Sequence, residues 1–443
     1  MSSEWRSLTL GELCFEQGGS IQTGPYGSQL HTSDYVDVGV PVVMPTNIGD
    51  GGIATAGIAR IGAGDVERLT QHKLLAGDIV FSRRGDVTKN ALVRDFEAGW
   101  LCGTGCLKVR LGRAVAANPS FVSYSLRQPD IKDWLVRHAV GATMPNLNTG
   151  ILSAVPLTLP PLQSQLEIAT LLGALDNRIA LLRETNATLE AIAQALFKSW
   201  FVDFDPVRAK MEGRAPEGMD EATAALFPDS FEESPLGSVP KTWNVRTIDD
   251  LCEVITNGGT PSRSNETFWT DGTMPWFKTG DFADGFLLAP AERISEAAIS
   301  KSSVKVLPAN AILMAIYAAP TVGRLGILTE QATFNQACTG MVARATVGPW
   351  FLLLTLYFGR TWFNSRANGA AQQNISKAIV ASYRAIAPSE PLLSRFHEIA
   401  DSLYCSIRAN SKHAQTLTTL RDTLLPRLIS GQLRLPETEA VVA

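Results

Sequence analysis

Nowhere does this sequence reach the ~18–20 consecutive apolar residues that a membrane helix needs, and its start, MSSEWRSLTL, has no basic stretch leading into an apolar one. Neither a membrane span nor a signal peptide is expected, and a soluble chain in the cytoplasm is. Cysteine is scarce, with six in 443 residues. The closest two, Cys102 and Cys106, lack a second pair or a histidine cluster, so the sequence indicates neither a disulfide framework nor a zinc site. The five histidines lack metal-ligand spacing. An excess of positive charge is missing too. The net charge of −4 excludes a generally basic nucleic-acid coat and leaves any DNA contact to local patches. Catalytic signatures are also lacking: there is no Asn/Asp-Pro-Pro-aromatic motif for amino methylation and no glycine-rich cofactor loop between a strand and a helix. A phosphate loop ending in Lys-Ser/Thr and a well-spaced carboxylate–lysine nuclease cluster are missing as well. The chain is expected to bind no metal and no cofactor of its own.

What is present is an ordinary globular composition, 45% hydrophobic and 19% charged, over a length that suits two to four domains. One stretch organises the rest. Ile168, Leu172, Leu175, Ile179, Leu182, Asn186, Leu189, Ala193, Leu196 and Trp200 follow one another in steps of four and three, with no proline or glycine after Gly173. A stripe held this long at a 3.5-residue period predicts a helix paired in coiled-coil fashion. At 1.5 Å per residue it makes a rod of roughly 50 Å.

The partner lies in the same chain. Pro160 recurs as Pro388, and the same offset of 228 carries the stripe onto Phe396, Ala400, Leu403, Ile407, Asn410, Ala414, Leu417, Arg421, Leu424 and Leu428. Eight of these ten suit a packed seam. The two asparagines bear on orientation. Antiparallel pairing about the stripe's midpoint sets Asn186 against Asn410, where the amides satisfy each other. Parallel pairing sets Asn186 against Ala414 and leaves an amide short of a partner. Two asparagines leaning out to solvent would be the plainer reading, but the spacing favours antiparallel. Pro426 should kink or end the second helix within a turn.

The globular segments repeat as well. Residues 1–158 alternate short β-rich runs (Val38–Met44, Asp78–Ser82, Ala91–Val93, Leu107–Leu111) with helical ones (Ser120–Arg127, Ile131–Ala139), which suggests an α+β domain. Trp5 followed by Leu13-Cys14 matches Trp243 followed by Leu251-Cys252. GDIVFSRRGD matches NAILMAIYAA, Cys106 matches Cys338, and GATMPNLN at 141–148 matches GAAQQNIS at 369–376. The expected order is a domain at 1–158, a helix at 159–203, an acidic connector at 204–238 with room for one short helix, a second domain at 239–388, a second helix at 389–432 and a tail at 433–443. Such a duplicated half has pseudo-twofold symmetry, the single-chain counterpart of a symmetric dimer.

Several segments then carry a family pattern: IQTGPYGSQLH at 21–31, GDIVFSRRG at 77–85, LPPLQSQ at 159–165, LFKSWFVDF at 196–204, NGGTPSRSNETFW at 257–269 with MPWFKTGD after it, FNQACTG at 334–340, and LLPRLISGQL at 424–433. In this order, on a duplicated frame, they resemble the specificity (S) subunit of type I restriction–modification systems over nearly the whole chain. The resemblance implies a non-catalytic reader with two globular target-recognition domains separated by two long helices that form an antiparallel coiled coil. Each domain would read one half of a split sequence in double-stranded DNA. The helices would dock two methyltransferase (modification) subunits, which bring S-adenosylmethionine and methylate adenine, and restriction or motor subunits could join them. A rod of ~50 Å against ~3.4 Å per base pair implies a non-specific gap of roughly six to eight base pairs. The competing reading is a two-domain protein-binding scaffold without DNA specificity.

Base reading needs polar side chains at a groove, and phosphate contact needs positive charge or free amides. In the first domain Gln22, Thr23, Tyr26, Ser28 and Gln29 line a glycine-rich loop. Arg83 and Arg84 end a strand with Lys89 close behind, and Thr143, Asn146 and Asn148 lead back to the helix. Their counterparts are Thr260, Ser262, Arg263, Lys278, Arg324, Gln372, Gln373 and Asn374. Each is set against a bland alternative, a structural turn or a solvated charge. Phe197, Trp200, Phe201 and Phe204 cluster at the helix end, as a docking face for a modification subunit or as a cap packed on the adjacent domain.

Overall fold

Ile79, Val80 and Phe81 alternate across the strand Ile79–Ser82, and all three are buried. A strand apolar on both faces must lie between two layers. In the computed structural model, which describes residues 5–49, 51–112, 116–141, 143–317, 321–367 and 374–435, it does. Ile79 and Phe81 join a core shared with helices, whereas Val80 joins a second core with Val43, Cys102 and Cys106. The chain divides into two compact units, residues 1–179 with 416–443, and 180–415.

In the first unit a four-stranded sheet runs in the order Ser20–Thr23, Cys106–Arg110, Ile79–Ser82, Asn90–Leu92. A three-stranded sheet runs Ala59–Ile61, Tyr35–Val43, Leu101–Cys102. Helices Pro119–Ser125 and Pro129–His138 cover the first sheet, near the spans read from sequence. A strand pair, Arg6–Thr9 with Pro156–Leu159, joins the two ends of the domain. Thr9 also opens the helix Leu10–Glu16, its hydroxyl accepting from the Glu12 N–H while the Glu12 carboxylate accepts from the Thr9 N–H at 2.7 Å.

The second unit repeats the plan. Asn244–Thr247 pairs with Arg384–Ala387. A five-stranded sheet runs Cys252–Asn257, Cys338–Ala343, Ile312–Ala315, Leu325–Leu328, Gly285–Leu287, and a three-stranded sheet runs Glu292–Ile294, Met274–Phe277, Thr333–Phe334. Among the described residues, Gly285–Leu287 is the strand added to these two sheets. The fold is α+β and duplicated.

Each long helix has 40 residues, Leu162–Phe201 and Glu390–Ile429, and each unit contains part of both. All twenty stripe positions are buried or half-buried. In the first unit Ile168 and Leu172 share a core with Leu425 and Leu428, and Arg421 Nη1 donates to Asp176 Oδ1 at 2.7 Å. In the second unit Asn410 Nδ2 donates to Asn186 Oδ1 at 3.0 Å. Asn186 Nδ2 donates to Ser411 Oγ at 2.9 Å and to the Ile407 carbonyl at 3.2 Å. Residue numbers rise on one helix as they fall on the other, so the pairing is antiparallel within each unit. Both asparagine amides face the seam, which removes the solvent-leaning alternative. Pro426 sits three residues before the end of its helix.

The connector is more ordered than the sequence suggests. It holds two short helices, Asp205–Met211 and Glu221–Ala225, and the hairpin Phe231–Ser234 with Gly237–Pro240. The reason is local. Pro206 occupies the first turn of one helix, the Asp220 carboxylate caps the other at Thr223 N–H (2.8 Å), and Gly237 supplies a φ of 94° at the hairpin turn.

Candidate nucleic-acid interface

In the first unit the turn at residues 103–105 gathers most of the candidates by backbone hydrogen bonds. Gly24 N–H donates to the Cys106 carbonyl at 2.9 Å, and a Cβ at Gly24 would fall 2.0 Å from the Gly103 carbonyl oxygen. Only glycine lets the loop carrying Tyr26, Ser28 and Gln29 approach so closely. Arg83 N–H donates to the Gly105 carbonyl at 2.8 Å, and Leu147 N–H donates to the Arg83 carbonyl at 2.9 Å. That second bond brings up the loop with Thr143 and Asn146, where Asn146 forms an isolated bridge with Arg84.

The side chains divide by role. Arg84, Tyr26, Ser28, Thr143 and Gln22 are exposed. Arg83 is half-buried, its Nε donating to Asn146 Oδ1 at 3.2 Å. The Gln29 amide oxygen accepts from Tyr26 N–H at 3.1 Å and so shapes its own loop. Asn148 caps the helix Thr149–Ser153 through Ile151 N–H at 2.8 Å, a structural task that accounts for its oxygen. Lys89 lies 3.9 Å from Asp86, and Thr23 is half-buried in its strand.

The second unit builds the same frame with other side chains. Gly258 N–H donates to the Cys338 carbonyl at 3.1 Å, Ile316 N–H to the Ala337 carbonyl at 2.9 Å, and Ile375 N–H to the Ile316 carbonyl at 2.9 Å. Ile316 and Tyr317 therefore stand where Arg83 and Arg84 stand, and Asn374 stands where Asn146 stands. Gln336, at the place of Thr104, is hydrogen-bonded by the Thr260 hydroxyl. The Arg324 carbonyl accepts from Ala315 N–H at 2.9 Å on the neighbouring strand. Gln372 and Gln373 lie outside the described residues.

The remaining candidates collect elsewhere, on the three-stranded sheet. Lys278 Nζ donates to Glu292 Oε1 at 2.7 Å, and Arg263 Nη1 donates to Glu292 Oε2. The Arg263 guanidinium lies 3.7 Å from the centre of the Trp269 ring, and the Ser262 carbonyl accepts from Trp269 Nε1 at 3.1 Å. The two bonds from Arg263 and Lys278 hold the Glu292 carboxyl well below its ordinary range, at about 2. Sequence reasoning missed Glu292 and Gln336. Gln336 could have been found from the Cys106–Cys338 match, whereas Glu292 needed the strand pairing that sets it opposite Trp276.

The aromatic cluster needs correction. Phe197, Trp200, Phe201 and Phe204 are only 4%, 5%, 5% and 7% exposed, packed with Trp243, Phe351 and Phe396 in the core of the second unit. Phe197, Phe201 and Phe204 also floor a cavity of about 640 Å³. Rings held this deep by neighbours of their own chain present no docking face. All six cysteines are free thiols, and burial, with the Asp249 carboxylate adding to it, pushes Cys252 up to about 12. Among the described residues no group of His, Cys, Asp and Glu could hold a metal ion, and no helix is long and apolar enough to cross a membrane.

Two globular segments with a shared backbone frame and divergent polar edges suit a duplicated reader, and comparison with known proteins decides the family. The family model for the type I restriction modification DNA specificity domain matches residues 2–191 and again 240–413. The chain belongs to the type I restriction–modification DNA-specificity family. The HindI specificity subunit of Haemophilus influenzae is 28% identical over 341 residues, 68% of this chain and 73% of that protein. The MjaIX specificity subunit of Methanocaldococcus jannaschii is 23% identical over 401 residues, 84% of this chain and 88% of that protein. The crystal structure of the type I system S subunit from M. genitalium shares the fold, with a TM-score of 0.56, 14% identity and 97% of each chain covered. As a specificity subunit the chain gives DNA sequence specificity and assembles with other restriction–modification subunits. It is the non-catalytic part of that system.

Proposed function

We propose that each unit reads one half of a bipartite DNA target, that the paired helices set the gap, and that two adenine-methylating modification subunits dock on them. The observation that carries the split target is the shared frame with unlike edges. One turn geometry recurs in both copies, yet Arg83-Arg84 becomes Ile316-Tyr317. Two readers of one sequence would have no reason to differ there. Helices of 40 residues, about 60 Å each, suit a non-specific gap of roughly six to eight base pairs. Neither S-adenosylmethionine nor another cofactor is assigned to this chain; S-adenosylmethionine belongs on the modification partner.

Methylome sequencing of cells carrying the chain and its modification partner should return two short words separated by a fixed gap. One continuous word would refute the split reading. On the duplex so defined, Arg84→Ala should weaken binding ~10–100-fold, about 1–3 kcal/mol, and relax specificity in one word only. A protein-binding scaffold without DNA specificity would show no sequence-dependent, salt-sensitive gel shift, with or without the partner.

For docking, the surface that replaces the buried aromatics is a second stripe on the central helix. Leu181, Thr185, Thr188 and Ile192 again advance by four, three and four, and all are exposed. Leu420, displaced from Ile192 by 228, is an exposed aliphatic at the same position of the C-terminal helix. A stripe of this period fits the apolar face of a partner helix. Ile192→Glu with Leu420→Glu should abolish co-purification of the modification subunit while leaving the melting temperature of the free chain in place. Undiminished co-purification places the docking surface elsewhere.

A further inference from the structure

Glu292 joins two of the second unit's candidate DNA-contacting cations, and the fold does not require it to. Strand register sets Trp276 opposite Glu292, as Val42 is set opposite Ala59 in the first unit. Lys278 follows Phe277 as Met44 follows Val43, and the offset of 234 shared by Gly24 with Gly258 and by Met44 with Lys278 places Gln29 at Arg263. The first copy thus builds the same three-stranded sheet with Ala59, Met44 and Gln29, and with no ion pair at these positions. A part-exposed pair of this kind also adds little stability. Phosphate binding gives no reason for it either, because a carboxylate beside two cations opposes contact with the DNA backbone.

Its geometry does fit base reading. Glu292 takes only Nη1 of Arg263, while Trp269 stacks on the guanidinium at 3.7 Å and Trp276 lies 5.1 Å away. Trp269 Nε1 and Trp276 Nε1 donate to the Ser262 and Gly259 carbonyls, at 3.1 and 3.0 Å, tying both rings to the loop that carries Arg263. The guanidinium plane is therefore fixed before any ligand arrives, and its Nε–Nη2 edge is the one a guanine O6/N7 edge accepts from.

We propose that Glu292 is a specificity-determining positioning residue, which orients Arg263 and Lys278 as fixed donors to a G·C pair and restrains them from phosphates. The proposal rests on the reading of the second unit as a DNA reader. The test uses the full chain with its modification subunits. The probes are a duplex bearing the methylated target found by sequencing and a control with every base pair of the second unit's word replaced. Glu292→Ala installs the residue the first copy carries at this position, so the variant should fold.

With Glu292→Ala or Glu292→Gln, affinity for the control duplex should rise ~3–10-fold at low salt, with a steeper salt dependence, as unrestrained cations turn to phosphates. The ratio of target to control binding should fall ~10-fold or more. Arg263→Lys, which keeps the charge and loses the fork, should lower that ratio without raising control binding. A ratio within twofold of wild type, or a parallel loss on both duplexes as for mere structural damage, overturns the proposal. A wild-type complex that does not distinguish target from control overturns the DNA-reader reading itself.

Discussion

Phe201→Ala is expected to destabilise the second unit by about 3–5 kcal/mol, a fall of roughly 10 °C in its melting transition. The ring is 5% exposed and meets Phe197, Trp200, Trp243, Phe351 and Phe396 at centroid distances of 5.1–5.9 Å. These neighbours come from the central helix, the C-terminal helix, the helix Pro349–Phe358 and the loop after the connector hairpin. Removing the side chain leaves a void that none of these elements can close alone, and several edge-to-face ring contacts go with it. A docking role predicts the opposite pair of results. An unchanged melt with lost binding of the modification subunit would restore the aromatic cluster as an interface.

That contrast shows what the sequence makes legible and what it does not. A 3.5-residue period survives any tertiary setting, so the stripe from Ile168 to Trp200 and its copy from Phe396 to Leu428 identify the paired helices directly. Asn186 and Asn410 add the direction, because a buried amide needs a partner and only one orientation supplies it. The strand Ile79–Ser82 is legible for a similar reason: apolar on both faces and bounded by glycine, it has to be an interior strand. Burial of an aromatic cluster is different. Phe197 and Phe201 look the same from sequence whether another protein or the chain's own second domain covers them, and only the packing of Phe351 and Phe396 decides. Glu292 is harder still, since its partners Arg263 and Lys278 lie 29 and 14 residues away and meet it through strand register and a loop. Single glutamates on a strand carry no pattern. The connector shows the converse: Pro206, Asp220 and Gly237 each signal order, but the excess of acidic residues around them dominates a compositional reading.

Arg421 is the seam residue least suited to a coiled-coil core, and its surroundings lead to the other large effect. Its Nη1 donates to Asp176 Oδ1 at 2.7 Å, and the Tyr124 hydroxyl donates to Asp176 Oδ2 at 2.8 Å. Arg127, buried, brings a second guanidinium to within 3.8 Å of the same carboxylate. Asp176 is thus the acceptor for a tyrosine and the counter-charge for two arginines at the point where the first domain meets both helices of its unit. Asp176→Ala leaves Arg421, whose side chain is only 15% exposed, with Asp422 as its remaining carboxylate, and strips the Tyr124 hydroxyl of its acceptor. Breaking one side of such a network costs about 3–5 kcal/mol, and the retained Asp422 contact puts the expectation near 3. Asp176→Leu with Arg421→Leu, which continues the apolar stripe at position 421 but still takes the carboxylate from beside Arg127 and Tyr124, should recover only part of that loss. Urea unfolding of the three chains decides the matter. If Asp176→Ala melts like the wild type, the carboxylate is screened by water and the packing at the Arg421 seam position owes nothing to it. If the leucine pair is no better than Asp176→Ala, then the hydrogen bond from Tyr124 and the charge beside Arg127, not the compensation of Arg421, are what secure the domain to its helices.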